Sequence, residues 1–487
     1  MALPAAAIWE IRADATANNV NGGGFNAARG GTDYSQQTGS QLTNTDGSAT
    51  GTTTFTSALA TFTSQMVGNY LHIVSSTGLT AGWYEIVTFT DANNVVLDRT
   101  PGTGTAATFH VGGAMSMNST LDDEMFEAAV AGNIFYVRGD AGTVTVGEAV
   151  SVTTAGSETA PIKVIGYDTS RSAVPTGDDR PLISAGANGL VFGNDWQGMN
   201  FRITGTSAPV YQCGTRGRSI NVKAINTSTS INRDAIASHP NGILLNCEMV
   251  SYRGDGFSQT GAVTLTGCYI HDSNRGVDAA FSSFSMTHTI ISSCVAGAYV
   301  FSSGTAATPT RITNCTFYGS ENTTGTGVSV VTGNSNIVML DTIIYGFVTG
   351  VSHADATNAA YEDYNDFNNN DTNRSNWSTG ANSITTAPAF ASVGQVTGTA
   401  GAFTAANDRL VDTSKNFTSL GVVAGVDNVY IVSGTGVTAG IYGVSSITTT
   451  TNPNDTLVLD LAPGTNTTGD KVYQITIGHN FAITGDI

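Results

Sequence analysis

Between Asn241 and Ala354 one short pattern of apolar and small positions keeps returning. An apolar residue is followed three places on by a small one, and two places further by another apolar one. The copies read Leu244, Cys247, Met249; Leu265, Cys268, Ile270; Met286, Thr289, Ile291; Ile312, Cys315, Phe317; and Met339, Thr342, Ile344. Phe257, Val277, Tyr299, Val328 and Val351 follow at nine to thirteen residues from each small position. Fainter copies stand at Trp196, Met199, Phe201 and at Val222, Ile225, Thr227, so the small positions are spaced by 26, 22, 21, 21, 26 and 27. A near-constant period of this size marks a solenoid whose coils stack on one another. The apolar and β-branched runs are short and broken by Gly, Asn, Ser and Asp, so each coil is made of strands and turns. The expected fold class is all-β: a right-handed parallel β-helix.

Outside the coils two segments are twins. Ile73 to Ile86 (IVSSTGLTAGWYEI) matches Ile431 to Val444 (IVSGTGVTAGIYGV), and the match resumes at Val96-Leu97-Asp98 and Val458-Leu459-Asp460. Both alternate strands with Gly turns and lack a helical period, which predicts a small barrel or sandwich of four to six strands in each. A single helix is expected after Thr120, with Asp122, Asp123 and Glu124 in its first turn, Leu121, Met125 and Ala128 on one face, and Gly132 as its stop. It is placed to plug the end of the solenoid, and the strand from Ile134 to Val137 is expected to open the coils. From Asn358 to Asn376 the pattern dissolves into Asn, Asp and Tyr, read as a last irregular coil. The expected organisation is a strand and polar segment over 1–51, a small β domain over 52–114, helix and β-helix over 115–395, and the second small β domain over 396–487.

Composition narrows the function. The chain has 487 residues with a net charge of −18, and only 11% are charged. The lysines are Lys163, Lys223, Lys415 and Lys471, too few cations to neutralise phosphates, so nucleic acid is excluded as a partner. An acidic surface also repels anionic membranes. The N-terminus has no basic region and too short an apolar run for a signal peptide, and no apolar span of membrane length occurs. The five cysteines (Cys213, Cys247, Cys268, Cys294, Cys315) lie within the solenoid, and three share one repeat position. A column of small buried residues is the expected reading, with a disulfide between neighbouring coils as the alternative.

Three stretches carry a family resemblance: Trp9-Glu10-Ile11-Arg12 followed by Asn21-Gly-Gly-Gly-Phe25; the plug from Thr120 to Gly139; and Asp363-Tyr-Asn-Asp-Phe-Asn-Asn-Asn-Asp371. They look like parts of right-handed parallel β-helix proteins encoded by tailed bacteriophages, a superfold similar to pectate lyases and phage tailspikes. The resemblance covers residues 8–46 and 115–395, with the two small domains as insertions or additions. It implies a homotrimeric virion component, assembled in the host cytoplasm beside capsid or tail proteins. The superfold hosts both enzymes and inert parts, so it fixes no activity.

Alternation along the coil strands sends two columns to the outer wall: Val250, His271, Ser292, Tyr318, Tyr345, and Glu248, Tyr269, Ile290, Thr316, Ile343. Tyr269, His271, Tyr318 and Tyr345 are therefore the candidate ligand residues, since aromatic planes beside polar groups suit sugar rings; packing against a second subunit is the competing use. Glycoside cleavage needs two carboxylates flanking one bond, and Glu248, Asp255, Asp272 and Asp278 are the candidates, with Arg253, Arg275 and His271 as helpers and Glu248 and Asp272 as the pair. Isolated acids in turns more often bond their local backbone, so no catalytic residue is assigned. Glu362, Asp363, Asp366 and Asp371 do not follow a calcium-loop spacing and read as a solvated loop, so no metal or cofactor is expected. The reading is a phage virion structural protein, a head decoration or tail-associated spike, with host surface polysaccharide as ligand. A tailspike-type polysaccharide hydrolase or lyase is the alternative, and a bacterial surface adhesin a further one.

Overall fold

The computed structural model describes residues 7–16, 20–117, 122–175, 177–230, 233–259, 261–279, 284–294, 297–300, 309–319, 325–331, 336–354, 360–386, 390–391, 394–404, 408–420, 422–424, 427–438, 440–449, 455–460, 462–464, 469–477 and 482–483. They form two compact units, residues 1–225 with 236–248, and residues 226–235 with 249–487. Each contains a stretch of parallel β-solenoid and one closed six-stranded barrel. Among the described residues no helix is long and apolar enough to cross a membrane.

In the first unit the coils begin earlier than expected. Ile8–Ile11 pairs in parallel with Ile134–Arg138, Trp9 beside Phe135 and Ile11 beside Val137, and Ile134–Arg138 pairs in turn with Ile162–Tyr167. The first barrel is thus inserted within the opening rung. Its first strand, Leu42–Thr50, lies in the stretch read as polar, because Thr, Asn, Gly and Ser supply no apolar alternation there. Gly22 and Gly24 let the chain run against the barrel, since a Cβ on Gly22 would stand 2.1 Å from the Tyr70 carbonyl oxygen. The helix spans Asp122–Glu127; the expected cap Thr120 and Leu121 lie outside the described residues. A helix this short has no stability of its own. It is held by burial of Met125 and Phe126, each contributing about 1.5–3 kcal/mol, with the Phe126 ring 5.0 Å from Phe135 and 6.0 Å from Trp196.

In the second unit each full coil has three strands, for example Ile337–Leu340, Ile343–Tyr345 and Thr349–His353. The corner between first and second strand is one residue with positive φ: Gly267, His288, Asn314, Asp341 and Tyr364. Asn200, Asn221 and Asn246 take the same place in the first unit. Short polar residues reach this left-handed conformation most cheaply. The residue after each corner points inward. In the second unit these are Cys268, Thr289, Cys315, Thr342 and Asn365, all buried. Thr289 and Thr342 accept the backbone N–H of Cys268 and Cys315, and Asn365 that of Thr342. Cys247 holds the same place in the first unit, its Sγ turned to the carbonyl two residues back, as in Cys268 and Cys315. None of the five cysteines is in a disulfide.

Two details of the repeat differ from the sequence reading. In the first unit Phe201 and Val222, not Met199 and Ile225, occupy the column, since Lys223 N–H donates to Phe201 O and Glu248 N–H to Val222 O. Large residues fill the position there, so a search for small ones slips register. In the third-strand column Ala298, not Tyr299, stands between Val277 and Val328. The Asn/Asp/Tyr-rich stretch is also no irregular exit but a coil of three strands, Ala360–Asp363, Asp366–Asn368 and Thr372–Ser375.

The barrels share one topology. The first runs Leu42–Thr50, Thr54–Thr56, Tyr70–Leu79, Gly82–Asp91, Asn94–Leu97, Gly102–Val111; the second runs Gly394–Thr404, Arg409–Val411, Asn428–Ser433, Gly440–Thr449, Asp455–Leu459, Lys471–Ile477. Around each barrel the order is first, second, fifth, fourth, third, sixth. Ile73 faces Gly82 and Leu71 faces Tyr84 in one; Ile431 faces Gly440 and Val429 faces Tyr442 in the other. Tyr84 Oη donates to Thr80 O, and Tyr442 Oη to Thr438 O, both at 2.8 Å.

Candidate functional site

The second strands of the coils in the second unit build one outer wall. Tyr269 lies beside Ile290 and His271 beside Ser292; Ser292 lies beside Tyr318, and Tyr318 beside Tyr345. With side chains alternating along each strand, His271, Ser292, Tyr318 and Tyr345 form one column. Tyr318 and Tyr345 are half-buried, their rings stacked 5.4 Å apart and 6° from parallel. That separation is close to the roughly 4.8 Å between neighbouring strands, so the ladder itself sets the stack. Ser292 on one side and Asn368 on the other flank the pair with short polar side chains.

The other two candidates are placed differently. Tyr269 lies flat on the His271 ring, 4.1 Å between centroids, with its Oη 3.2 Å from Ser292 Oγ. His271 is 3% exposed and its Nδ1 lies 2.8 Å from Asp272 Oδ2. It is an interior group, contrary to its expected place on the open wall, with Tyr269 stacked on its ring and Asp272 against its Nδ1. Val250, expected outward, is buried as well.

Each expected carboxylate is held by its own partners. Glu248, in the first unit, meets Lys223 Nζ at 2.8 Å and Arg180 Nη2 at 3.6 Å. Asp272, in the second, is a corner residue with φ +49°, buried against His271. Glu248 and Asp272 thus belong to different units. Asp255 pairs in register with Arg275 on the next rung. The guanidinium donates to both Asp255 oxygens at 2.7 and 2.8 Å, and its Nη2 lies 3.2 Å from Asp278. Asp255 and Asp278 therefore have oxygens within about 6 Å of each other. Burial pushes the Asp255 carboxyl up to about 6 against the pull of Arg275, and burial raises Asp278 as well. Two acids at such a separation resemble a glycosidase pair in spacing, although burial raises both rather than pushing them apart. Here, however, Arg275 lies between them, where a scissile bond would have to sit. The sequence reading had Arg275 only as a helper beside the acids, not as the hub between Asp255 and Asp278.

Of the acids of the last coil, Asp371 is exposed, but Glu362 and Asp363 are not part of a solvated loop. Glu362 is 1% exposed and takes hydrogen bonds from Arg374, Gly380 N and Asn365 at 2.7, 2.7 and 2.8 Å. Asp363 accepts from Asn382 N at 2.8 Å. These two carboxylates fasten residues 380–382 onto the coil. Among the described residues no group of three or more His, Cys, Asp or Glu is arranged to hold a metal ion. The sequence holds two Arg-Gly-Asp tripeptides, at 138–140 and 253–255, and both are ion-paired: Arg138 binds Asp140 at 2.8 Å, while Asp255 is taken by Arg275.

No family model and no curated protein matches the chain. Solved structures do. The tailspike protein gp49 from Acinetobacter baumannii bacteriophage Fri1, a capsular polysaccharide depolymerase, is 8% identical, with a TM-score of 0.41 over 96% of this chain and 97% of that one. The gp49 tailspike from Pseudomonas phage LKA1 is 10% identical, with a TM-score of 0.19 over 91% and 83%. The Gp54 tailspike of Acinetobacter baumannii bacteriophage AP22, in complex with capsular saccharide, is 10% identical, with a TM-score of 0.23 over 90% and 84%. The solenoid itself is established by the parallel ladders.

Proposed function

We propose that this chain is a structural component of a phage particle, attached to capsid or tail, that projects as a homotrimer and holds host surface glycans without cutting them. The observation that carries the binding part is the Tyr318–Tyr345 ladder, an aromatic platform flanked by the half-buried Asn368 on a wall of low charge. Sugar rings stack on such planes by C–H and dispersion contact while hydroxyls meet the flanking amide. The resemblance of the sequence motifs to phage β-helix proteins supports the virion assignment.

The test is binding of the full chain to immobilised bacterial capsular and O-chain polysaccharides. Tyr318→Ala and Tyr345→Ala are each expected to weaken binding about 3- to 10-fold. Unchanged binding by the double variant would remove the wall as the site, and no binding to any polysaccharide would end the glycan reading. A second reading, polysaccharide cleavage, is favoured by the raised Asp255 carboxyl beside Asp278; new reducing ends or unsaturated products, lost in Asp255→Asn, would establish it.

A further inference from the structure

We propose that the first unit carries a separate cleft for a carboxylate-bearing sugar, an inference that rests on the glycan-binding reading and extends it to a second site. The cleft follows from register. On the first-strand wall Lys163 lies beside Gln197, Gln197 beside Arg218, and Arg218 beside Ile243, one outward column over four rungs. The corner ahead of three of these strands is again a single left-handed residue: Asp195, Arg216 and Asn241, with φ of +58°, +58° and +62°. Their side chains line the same wall, and the segment 157–161 forms a lip over it. Together they enclose about 220 Å³, less than the several hundred cubic ångströms of sites for drug-sized ligands, which suits one sugar ring.

The charges choose the ligand. Asp195 is 5% exposed and is gripped by Arg216 through two bonds of 2.8 and 2.6 Å, so this pair is a neutral floor. Arg218 is exposed and, among the described residues, has no ion-pair partner. In a chain with 37 acids and 19 Lys and Arg, an arginine left unclaimed beside a cleft is informative. Its planar fork fits a carboxylate with two parallel hydrogen bonds. Glu158 on the lip, with Gln197 and Asn241, offers acceptors and amides for ring hydroxyls. Glu158 opposes a doubly charged phosphate more strongly than a singly charged uronate, so the uronate is the better match.

The probe is methyl β-glucuronide against methyl β-glucoside, followed on the full chain by saturation-transfer NMR. The glucuronide should bind at least about tenfold more tightly, and Arg218→Gln should abolish that preference. Added salt should weaken it. Arg218 is exposed, so the variant should fold, and Arg311→Gln, an exposed arginine of the second unit, should leave binding unchanged. Equal binding of the two sugars, no binding of glucuronide at millimolar concentration, or an unaltered Arg218→Gln variant each overturns the cleft. Polysaccharide binding that is lost with Tyr318→Ala and Tyr345→Ala but untouched by Arg218→Gln overturns this inference and leaves the glycan-binding reading intact.

Discussion

The guanidinium of Arg253, at a corner of a coil, lies 5.4 Å over the Tyr442 ring of the second barrel and donates to Tyr442 Oη at 2.6 Å. In the first barrel the equivalent Tyr84 is covered by Arg99 from the barrel itself, at 4.6 Å. The residue after Asp460, which would match Arg99, is leucine, so the second barrel takes its arginine from the solenoid. Gly440 makes room for it, since a Cβ there would stand 2.9 Å from the guanidinium carbon. Arg253→Ala should therefore loosen the second barrel by about 1–2 kcal/mol, seen as earlier proteolysis within residues 394–477. Arg253→Lys should restore little, because an ammonium cannot both cover the ring and reach the hydroxyl as a planar fork does. Unchanged proteolysis in Arg253→Ala would show that the contact holds nothing.

The inward column makes a second expectation. Cys268 sits between the rungs as a buried thiol, and the next rung has Thr289 in its place with Oγ1 donating to Thr287 O at 3.1 Å. Cys268→Ser should therefore cost no more than about 1.5 kcal/mol, since its hydroxyl has the same kind of carbonyl within reach. Cys268→Asp should cost at least about 3 kcal/mol by burying an unpaired charge. Urea denaturation of the two variants against the parent measures both, and equal costs would place the side chain outside the core.

Stability should also depend on Asp366. It faces out beside Ile343, its Oδ1 is buried with no hydrogen-bond partner among the described residues, and burial pushes its carboxyl up to about 6. The folded state thus prefers the protonated acid relative to the unfolded chain. Its stabilising contribution is present below about pH 4 and is lost as pH rises through about 6. Asp366→Asn should raise the Tm at pH 7 to 8 and leave it nearly unchanged near pH 4. Thermal melts across this range, with a rise that does not vanish in acid, would assign the effect to something other than ionisation.

How much of this was legible depended on side-chain size and chain separation. Cys247, Cys268, Thr289, Cys315 and Thr342 announced the column because they are small among apolar neighbours. Phe201 and Val222 fill the same place and were invisible to that criterion. Asn246, Asn314 and Asp341 mark corners as turn residues should, whereas His288 and Tyr364 take the left-handed turn without any local signal. The Tyr318–Tyr345 stack followed from period alone. The burial of His271 did not, because it depends on how Tyr269 lies across the rung. The cleft around Arg218 joins a lip at 157–161 to corners at Asp195, Arg216 and Asn241, and only the stacking of rungs brings them together.

The last expectation is that polysaccharide held on these walls is not cleaved. Hydrolysis needs an acid and a base, or an acid and a nucleophile, with room between them for the glycosidic bond. Glu248 is committed to Lys223 and Arg180, and Asp272 to His271. Asp255 has the raised pKa of a general acid, yet it is 3% exposed and Arg275 fills the gap to Asp278. Elimination needs a base near the sugar and cations on the uronate, and beside the cleft Arg218 stands with Glu158 and with an Arg216 already taken by Asp195 rather than with a second unpaired cation. Incubation of the full chain with capsular polysaccharide should therefore yield neither new reducing ends nor unsaturated products, while binding persists. Arg275→Ala opens the space between Asp255 and Asp278 and removes the charge that opposes their protonation. If turnover appeared in the parent chain and fell by more than about 100-fold in Asp255→Asn, the acid pair would be catalytic and Arg275 its positioning residue. Persistence of binding without products in the parent and in Asp255→Asn alike is the result expected of a holding surface.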